Sequence, residues 1–351
     1  MELLKNVARE AEEKTQVPAY PVSVEKVLKA VILTGDFWKI VDYCDEPLPL
    51  VAEILKILNR EGIVAFEGSQ ILLTEKGAEF VKEANIQPPV SHRCKCCNGR
   101  GVVIDETLKE AFKKFVEIQK NRPPAIHCFD QGYVTPENSF ARVALADDRG
   151  DLRGKKVCVL GDDDLMSIAL ALTGLPEKVT ILEIDERLIN FIKEVSDKYD
   201  LNIDARVHDL IEPLPEDVVG AYDTFFCDPP ETVEAIKAFV GRGVATLKSE
   251  RCAGYFGVTR RESSLDKWRK IQKVLLDMGL VITDLLHNFN EYVNWDYYEE
   301  MRGWQLTPVK EPPKDIWYKS TQFRVETVRG FKGFNEPIVG DIYNDAESST
   351  T

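Results

Sequence analysis

The sequence runs to 351 residues, 44% of them hydrophobic, enough for two domains with cores of their own. Its 45 Lys and Arg stand against 59 Asp and Glu, a net charge of −14, which argues against DNA or another polyanion as the main partner and for a cationic one. No apolar run is long enough for a bilayer, and the opening MELLKNVAREAEEKTQ is charged throughout, unlike a secretory signal, so a soluble cytoplasmic protein is expected.

Residues 22–44 carry apolar positions at helical spacing, and a second helical stretch, LPLVAEILKILNREG, closes at Gly62. IVAFEGSQILLTEKG then reads as two short strands around a turn at Glu67-Gly68-Ser69-Gln70. Two helices and a hairpin over about residues 22–84 resemble a winged helix-turn-helix. A reading helix brings several long polar groups to base edges. This one offers only Glu53, Lys56, Asn59 and Arg60, so a structural or dimerisation role is expected over DNA reading. The basic, cysteine-rich loop PPVSHRCKCCNGRG follows, then a helix, DETLKEAFKKFVEIQKNR, with Asp105 as N-cap and Pro123-Pro124 as stop.

From Lys155 short apolar strands alternate with helices, the pattern of a parallel sheet covered on both faces. KKVCVL, KVTILEID, DARVHDL, YDTFFCDPP and CAGYFGVT read as its strands, and Cys158 and Cys227 inside them as small hydrophobes. GLVITDLLHNF and DIWYKSTQFRVETV read as a closing antiparallel pair. The polar, acidic stretch from residue 336 to 351 reads as a mobile tail unless substrate orders it. The expected division is a winged-helix-like domain at 1–88, a Cys-rich loop and linker helix at 89–122, a catalytic domain at 123–335 and the tail.

In such a sheet the ligand sits at the carboxyl ends of the strands, near the switch in strand order. The first strand ends in Gly161-Asp162-Asp163-Asp164, with one glycine and three acids where a nucleoside-binding turn normally carries several glycines. One acid would suit a helix N-terminus, but three repel one another and point to a ligand. The second strand ends in Glu183-Ile184-Asp185, where an acid accepts from ribose hydroxyls: Asp185 first, Glu183 as alternative. The third ends in His208-Asp209-Leu210, with Asp209 set to take an adenine amino group. The fourth ends in Asp228-Pro229-Pro230-Glu231, similar to the Asp/Asn-Pro-Pro motif of amino-methyltransferases, whose prolines fix an extended turn. These ends together resemble a Rossmann-like, methyltransferase-type α/β fold for an adenosine sulfonium and an amine nucleophile. Three acids beside the amino-acid tail disfavour the carboxylate of S-adenosylmethionine. They favour its decarboxylated form, so an aminopropyl group, not a methyl, is expected to move.

Phe129-Asp130-Gln131-Gly132, the Gly161–Asp164 turn, Cys227-Asp228-Pro229-Pro230 and the winged-helix-like segment together resemble the branched-chain polyamine synthase family, N(4)-bis(aminopropyl)spermidine synthase, of thermophiles. The resemblance implies two successive aminopropyl transfers to the central amine of spermidine, and a homodimer. Asp163 is the expected base, with Asp228 as partner or alternative, and Asp162 or Asp164 would bind the ammonium of the cofactor. Asp130, Glu231, Glu262, Asp296 and Glu299 are candidate anions for the polyamine. Gln131, Tyr133, Pro229, Trp295, Tyr297 and Tyr298 are candidate walls or cation-π faces. Cys94 and Cys97 have the spacing of a zinc or iron pair, but no second such pair is present; Cys128 and His127, or the twofold mate, are the candidates to complete a site, and a reduced structural cluster is the alternative. Two alternatives remain: an S-adenosylmethionine-dependent N-methyltransferase, and a transcription regulator that senses polyamine or nucleoside.

Overall fold

The computed structural model describes residues 2–351. The chain opens with four helices, α1 (Glu2–Thr15), α2 (Pro21–Leu33), α3 (Phe37–Cys44) and α4 (Leu48–Arg60). A hairpin follows, β1 (Val64–Glu67) and β2 (Gln70–Leu73), then α5 (Glu75–Glu83). The stretch read as one helix over 22–44 is two. Thr34 ends the first, and Asp36 caps the second by accepting from the Lys39 amide at 3.1 Å. Gly35 between them bonds the hairpin, taking the Ile71 amide at 2.9 Å. Three of the four polar side chains of α4 are turned to the protein itself. Glu53 takes Lys14 at 2.9 Å, Asn59 donates to the Val64 carbonyl at 3.0 Å, and Arg60 forks onto Glu10.

The apolar core of this unit, which includes Val27, Trp38, Val41, Leu48, Ile54 and Leu55, is continuous with Tyr292, Trp295, Trp317 and Tyr318. The N-terminal unit therefore backs the aromatic wall of the catalytic cleft instead of standing apart from it. The linker helix α6 (Lys109–Gln119) begins later than expected, because Asp105 spends its carboxylate on a local turn with Thr107.

The remaining elements are α7 (Pro136–Asp148), β3 (Lys156–Leu160), α8 (Met166–Leu172), β4 (Lys178–Glu183), α9 (Glu186–Tyr199), β5 (Ile203–Val207) and β6 (Thr224–Cys227). After them come α10 (Val233–Thr246), β7 (Ala253–Thr259), α11 (Leu265–Asp277), β8 (Leu280–Glu291), α12 (Arg302–Leu306) and β9 (Lys319–Thr327). They build a seven-stranded sheet in the order β5-β4-β3-β6-β7-β9-β8. The pairs from β5 to β7 are parallel, and β9 runs antiparallel to both neighbours, as the closing pair was expected to do. Strand order reverses between β3 and β6. There Leu160 lies level with both Leu182 and Cys227, so the next residue along each chain segment, Gly161, Glu183 and Asp228, comes out beside the crevice where ligands bind.

The C-terminal stretch, expected to be mobile, is packed by the protein itself at its end, while Glu336, Pro337 and Val339 to Asp341 are exposed. Glu347, Ser348, Ser349 and Thr350 are buried. Gly303 donates to the Ser349 carbonyl at 2.8 Å, and Arg302 to the Ser348 carbonyl at 2.9 Å. The reason is Glu262, a buried carboxylate that needs donors and finds them in the amides of Ser349 and Thr350 and the hydroxyl of Ser349.

Candidate active site

A cleft of about 870 Å³, open mouth included, lies at the carboxyl ends of β3, β4, β5 and β6. Its lining holds six carboxylates, from Asp130, Asp163, Glu183, Asp209, Asp228 and Glu231. No Lys or Arg is among the residues that line it. Gln131, Gly161, Leu210, Pro229 and Trp295 line it too, so most of the expected positions converge here.

The three aspartates of the turn take three different roles. Asp162 is buried and turned back into the fold, where it accepts from the amide and hydroxyl of Ser167 at the start of α8. Burial pushes its carboxyl up to about 8, against those bonds. Asp164 is buried as well and takes the Val134 amide at 2.6 Å and the Arg142 guanidinium. Neither lines the main cleft, although Asp164 lines a small adjoining pocket that shares Gly161, Asp163 and Asp228 with it. Only Asp163 faces the cleft. It accepts from the Gly132 amide at 2.9 Å. Burial, with Asp164, Glu183 and Asp228 close by, raises it well above the usual carboxylate range, and Arg122 opposes this. Arg122 stacks over Tyr133 at 3.6 Å and donates to the Asp163 carbonyl, so Tyr133 serves as a seat for arginine and not as cleft wall.

Gly161 has φ of 71°, and a Cβ there would meet Phe239 at 3.1 Å, so this turn needs its one glycine. Gly132 is confined differently: a Cβ would lie 2.6 Å from the Trp295 ring. The indole donates to the Gln131 carbonyl at 2.8 Å, as does the Tyr297 hydroxyl, which fixes the Asp130–Gly132 loop over the cleft.

Asp228 is held by two donors on one oxygen, Arg142 at 2.9 Å and the Tyr292 hydroxyl at 2.6 Å. Burial raises its carboxyl to about 6, with Arg142 working against the rise. Arg142 also donates to Asn290 at 2.9 Å, so one buried guanidinium joins the acidic turn, the Pro-Pro turn and β8. Further along, Glu231 takes the Thr259 amide at 2.9 Å and the Tyr318 hydroxyl at 3.2 Å. Tyr318 lies 2.6 Å from Glu262, so Glu262 stands one layer behind the lining. Asp130 shares Thr350 with Glu262. Burial, reinforced by Glu262, raises both Asp130 and Glu231 well above the usual range.

On the nucleoside side, Glu183 lines the cleft while accepting from the amides of Asp162 and Asp185 at 2.7 and 2.8 Å. Asp185 caps α9 and is taken up by Arg187 and Gln131. Although burial works the other way, those bonds hold it below its ordinary value. Of the two, Glu183 lines the cleft and Asp185 does not. Asp296 is exposed, and the Tyr298 hydroxyl turns to exposed Glu299, so neither of these two candidates belongs to the lining. Cys94 and Cys97 lie on a loop outside the cleft.

Sequence reasoning missed Arg142, Tyr292, Tyr318, Phe239, Tyr343 and Thr350. Arg142 left a signal, a lone charge inside the otherwise apolar run FARVALA. The others are ordinary letters: Tyr292 and Tyr318 are placed by pairing across the sheet, Phe239 by α10, and Tyr343 and Thr350 by the path of the C-terminal stretch.

The family described as Branched-chain polyamine synthase A C-terminal domain matches residues 110–350. N(4)-bis(aminopropyl)spermidine synthase of Methanocaldococcus jannaschii is 54% identical over 99% of this chain and 100% of its own length. That of Thermococcus kodakarensis is 53% identical over the same shares. Among solved structures, the branched-chain polyamine synthase from Thermus thermophilus, in complex with N4-aminopropylspermidine and 5'-methylthioadenosine, superposes with a TM-score of 0.94 at 42% identity. The match covers 100% of this chain and 99% of that one. With near-identical length, the same fold throughout and an acid-lined cleft at the switch point, this chain belongs to the branched-chain polyamine synthase family.

Proposed function

We propose that this protein moves aminopropyl groups from decarboxylated S-adenosylmethionine to the central secondary amine of spermidine, giving branched polyamines and methylthioadenosine. The observation that carries the reading is the lining of six carboxylates without a Lys or Arg. Spermidine and a sulfonium bearing an ammonium are both polycations, and each desolvated charge needs a counter-ion in the cleft. The carboxylate of S-adenosylmethionine would meet only repulsion there, which disfavours methyl transfer. Selection against it thus rests on the cleft as a whole and not on three aspartates of one turn.

The central amine must be neutral to attack. Asp163 is the residue best suited to position it and receive its proton, since its carboxylate faces the cleft while an arginine already occupies Asp228. The nitrogen lone pair forms a bond to the propyl carbon beside sulfur, and the carbon–sulfur pair stays with sulfur as a neutral thioether. A second attack starts from a tertiary amine that must again be neutral beforehand, and it leaves a quaternary ammonium with no proton to lose after the attack. Charge stabilisation by Asp163, Asp130 and Glu231 then matters more than base strength. Glu183 and Asp209 suit the nucleoside end, and Asp130 and Glu231, backed by Glu262, suit the polyamine end. The N-terminal unit is read as a winged-helix-type support for the aromatic wall, and the assembly as a homodimer.

The test is incubation of the purified protein with spermidine and both sulfonium donors, followed by mass analysis. Methylthioadenosine with mono- and bis-aminopropylated spermidine is expected. Release of S-adenosylhomocysteine with methylated amine would overturn the reading.

A further inference from the structure

The cysteine loop has no part in the cleft, yet it is built in detail. Cys94, Cys96 and Cys97 hold their Sγ atoms within 4.8 Å of one another, with 3.2 Å between those of Cys94 and Cys96. All three are free thiols. Sulfurs around a tetrahedral zinc, each about 2.3 Å from the ion, stand roughly 3.8 Å apart, so small shifts would seat one ion among the three. The backbone folds around the sulfur: Gly101 donates its amide to Cys97 Sγ at 3.4 Å. Gly99 and Gly101, with φ of 80° and 77°, give the loop the left-handed turns that aim this amide.

We propose that Cys94, Cys96 and Cys97 form a thiolate site for one zinc-type ion per chain, with its fourth position left to a water or another exogenous ligand. Its role is to set the loop, and the contacts of the loop say what is set. Asn98 donates to Glu291 at 2.7 Å, and Arg100 reaches Glu291, Asn138 and the Phe289 carbonyl at 2.5, 2.8 and 3.0 Å. Arg93 donates to the His287 carbonyl at 3.0 Å. The ion thus pins the end of β8, where Asn290 holds Arg142 and the next residue but one, Tyr292, holds Asp228. It acts as a staple behind the catalytic strand and takes no part in group transfer.

The experiment uses untagged full-length protein. Elemental analysis should give close to one zinc or iron per chain, and cobalt(II) replacement should give a sulfur-to-cobalt charge-transfer absorption. Cys94→Ser and Cys97→Ser should each lose at least tenfold in zinc affinity, while Cys128→Ser, at an exposed cysteine outside the cluster, keeps it. Chelation of the wild-type protein should lower its melting temperature and zinc should restore it; this arm decides if the serine variants do not fold. The proposal is overturned if zinc titration shows no uptake, if the double variant Cys94→Ser/Cys97→Ser gives the same cobalt spectrum, or if the loop is isolated as a disulfide. Half an equivalent per chain would also overturn it, in favour of thiolates shared between two copies.

Discussion

The two ends of the cleft balance their negative charge in different ways. At the inner end Asp164 and Asp228 share one buried guanidinium, Arg142, and Tyr292 supplies a further donor. At the outer end Asp130, Glu231 and Glu262 are joined only by neutral donors, the hydroxyls of Tyr318 and Thr350 and backbone amides. A buried acid with a fixed cation is structure, while a buried acid with neutral partners still lacks a counter-ion. The contrast assigns the inner pair to the scaffold and leaves the outer group, with Asp163 between them, to meet cationic substrate.

Four changes would break or sharpen that contrast. Asp163→Asn keeps the shape and the Gly132 contact but removes the base. Turnover should fall by about 10²–10⁴-fold with cofactor affinity little changed, measured by steady-state kinetics and calorimetry. Equal losses in both would remove Asp163 from the chemical step. Arg142→Met leaves two buried carboxylates unpaired and should cost about 3–5 kcal/mol in urea unfolding. A loss under 1 kcal/mol would mean that the inner acids are not held by it.

Glu231→Gln retains the Thr259 and Tyr318 contacts while removing a charge. It should raise KM for spermidine about tenfold, the difference between a charge-assisted and a neutral hydrogen bond, with kcat nearly kept. The last effect is in pH. Asp162 and Asp228, raised to about 8 and about 6, keep their protons in the fold at pH values where the unfolded chain has lost them. The folded state then binds more protons between about pH 4 and 8, so stability should fall as pH rises through that window and level off above it. A melting series should show this for the free protein, with a shallower fall once spermidine and methylthioadenosine are bound. A stability that rises with pH would reverse the assignment of these groups.

How far the sequence could be read depended on how local the cause was. Four strands of the sheet, β3 to β6, end at or within two residues of an acid, and that pattern survives in the letters of Asp162, Glu183, Asp209 and Asp228. The three aspartates of the turn are the same letter, and only the path of the backbone sends one into α8, one toward α7 and one to the cleft. The tail misled because its composition is polar and acidic. What orders it is Glu262, almost ninety residues earlier, and no window of sequence contains both. α1 was not anticipated, because its charges masked an apolar face at Leu4, Val7, Ala8 and Ala11. Tyr292 and Tyr318 come together through the register of β8 on β9, which is set by pairing and not by either segment alone.

An acid-lined cavity without a lysine or arginine among its lining residues has one more consequence. In any electrolyte it resembles a small cation-exchange bead: its mobile counter-ions must leave when the polyamine arrives. Substrate uptake is then an exchange of many monovalent ions for one multivalent ion, favoured by the entropy of the released ions. The apparent affinity for spermidine should therefore fall as the ionic strength of the surrounding solution rises.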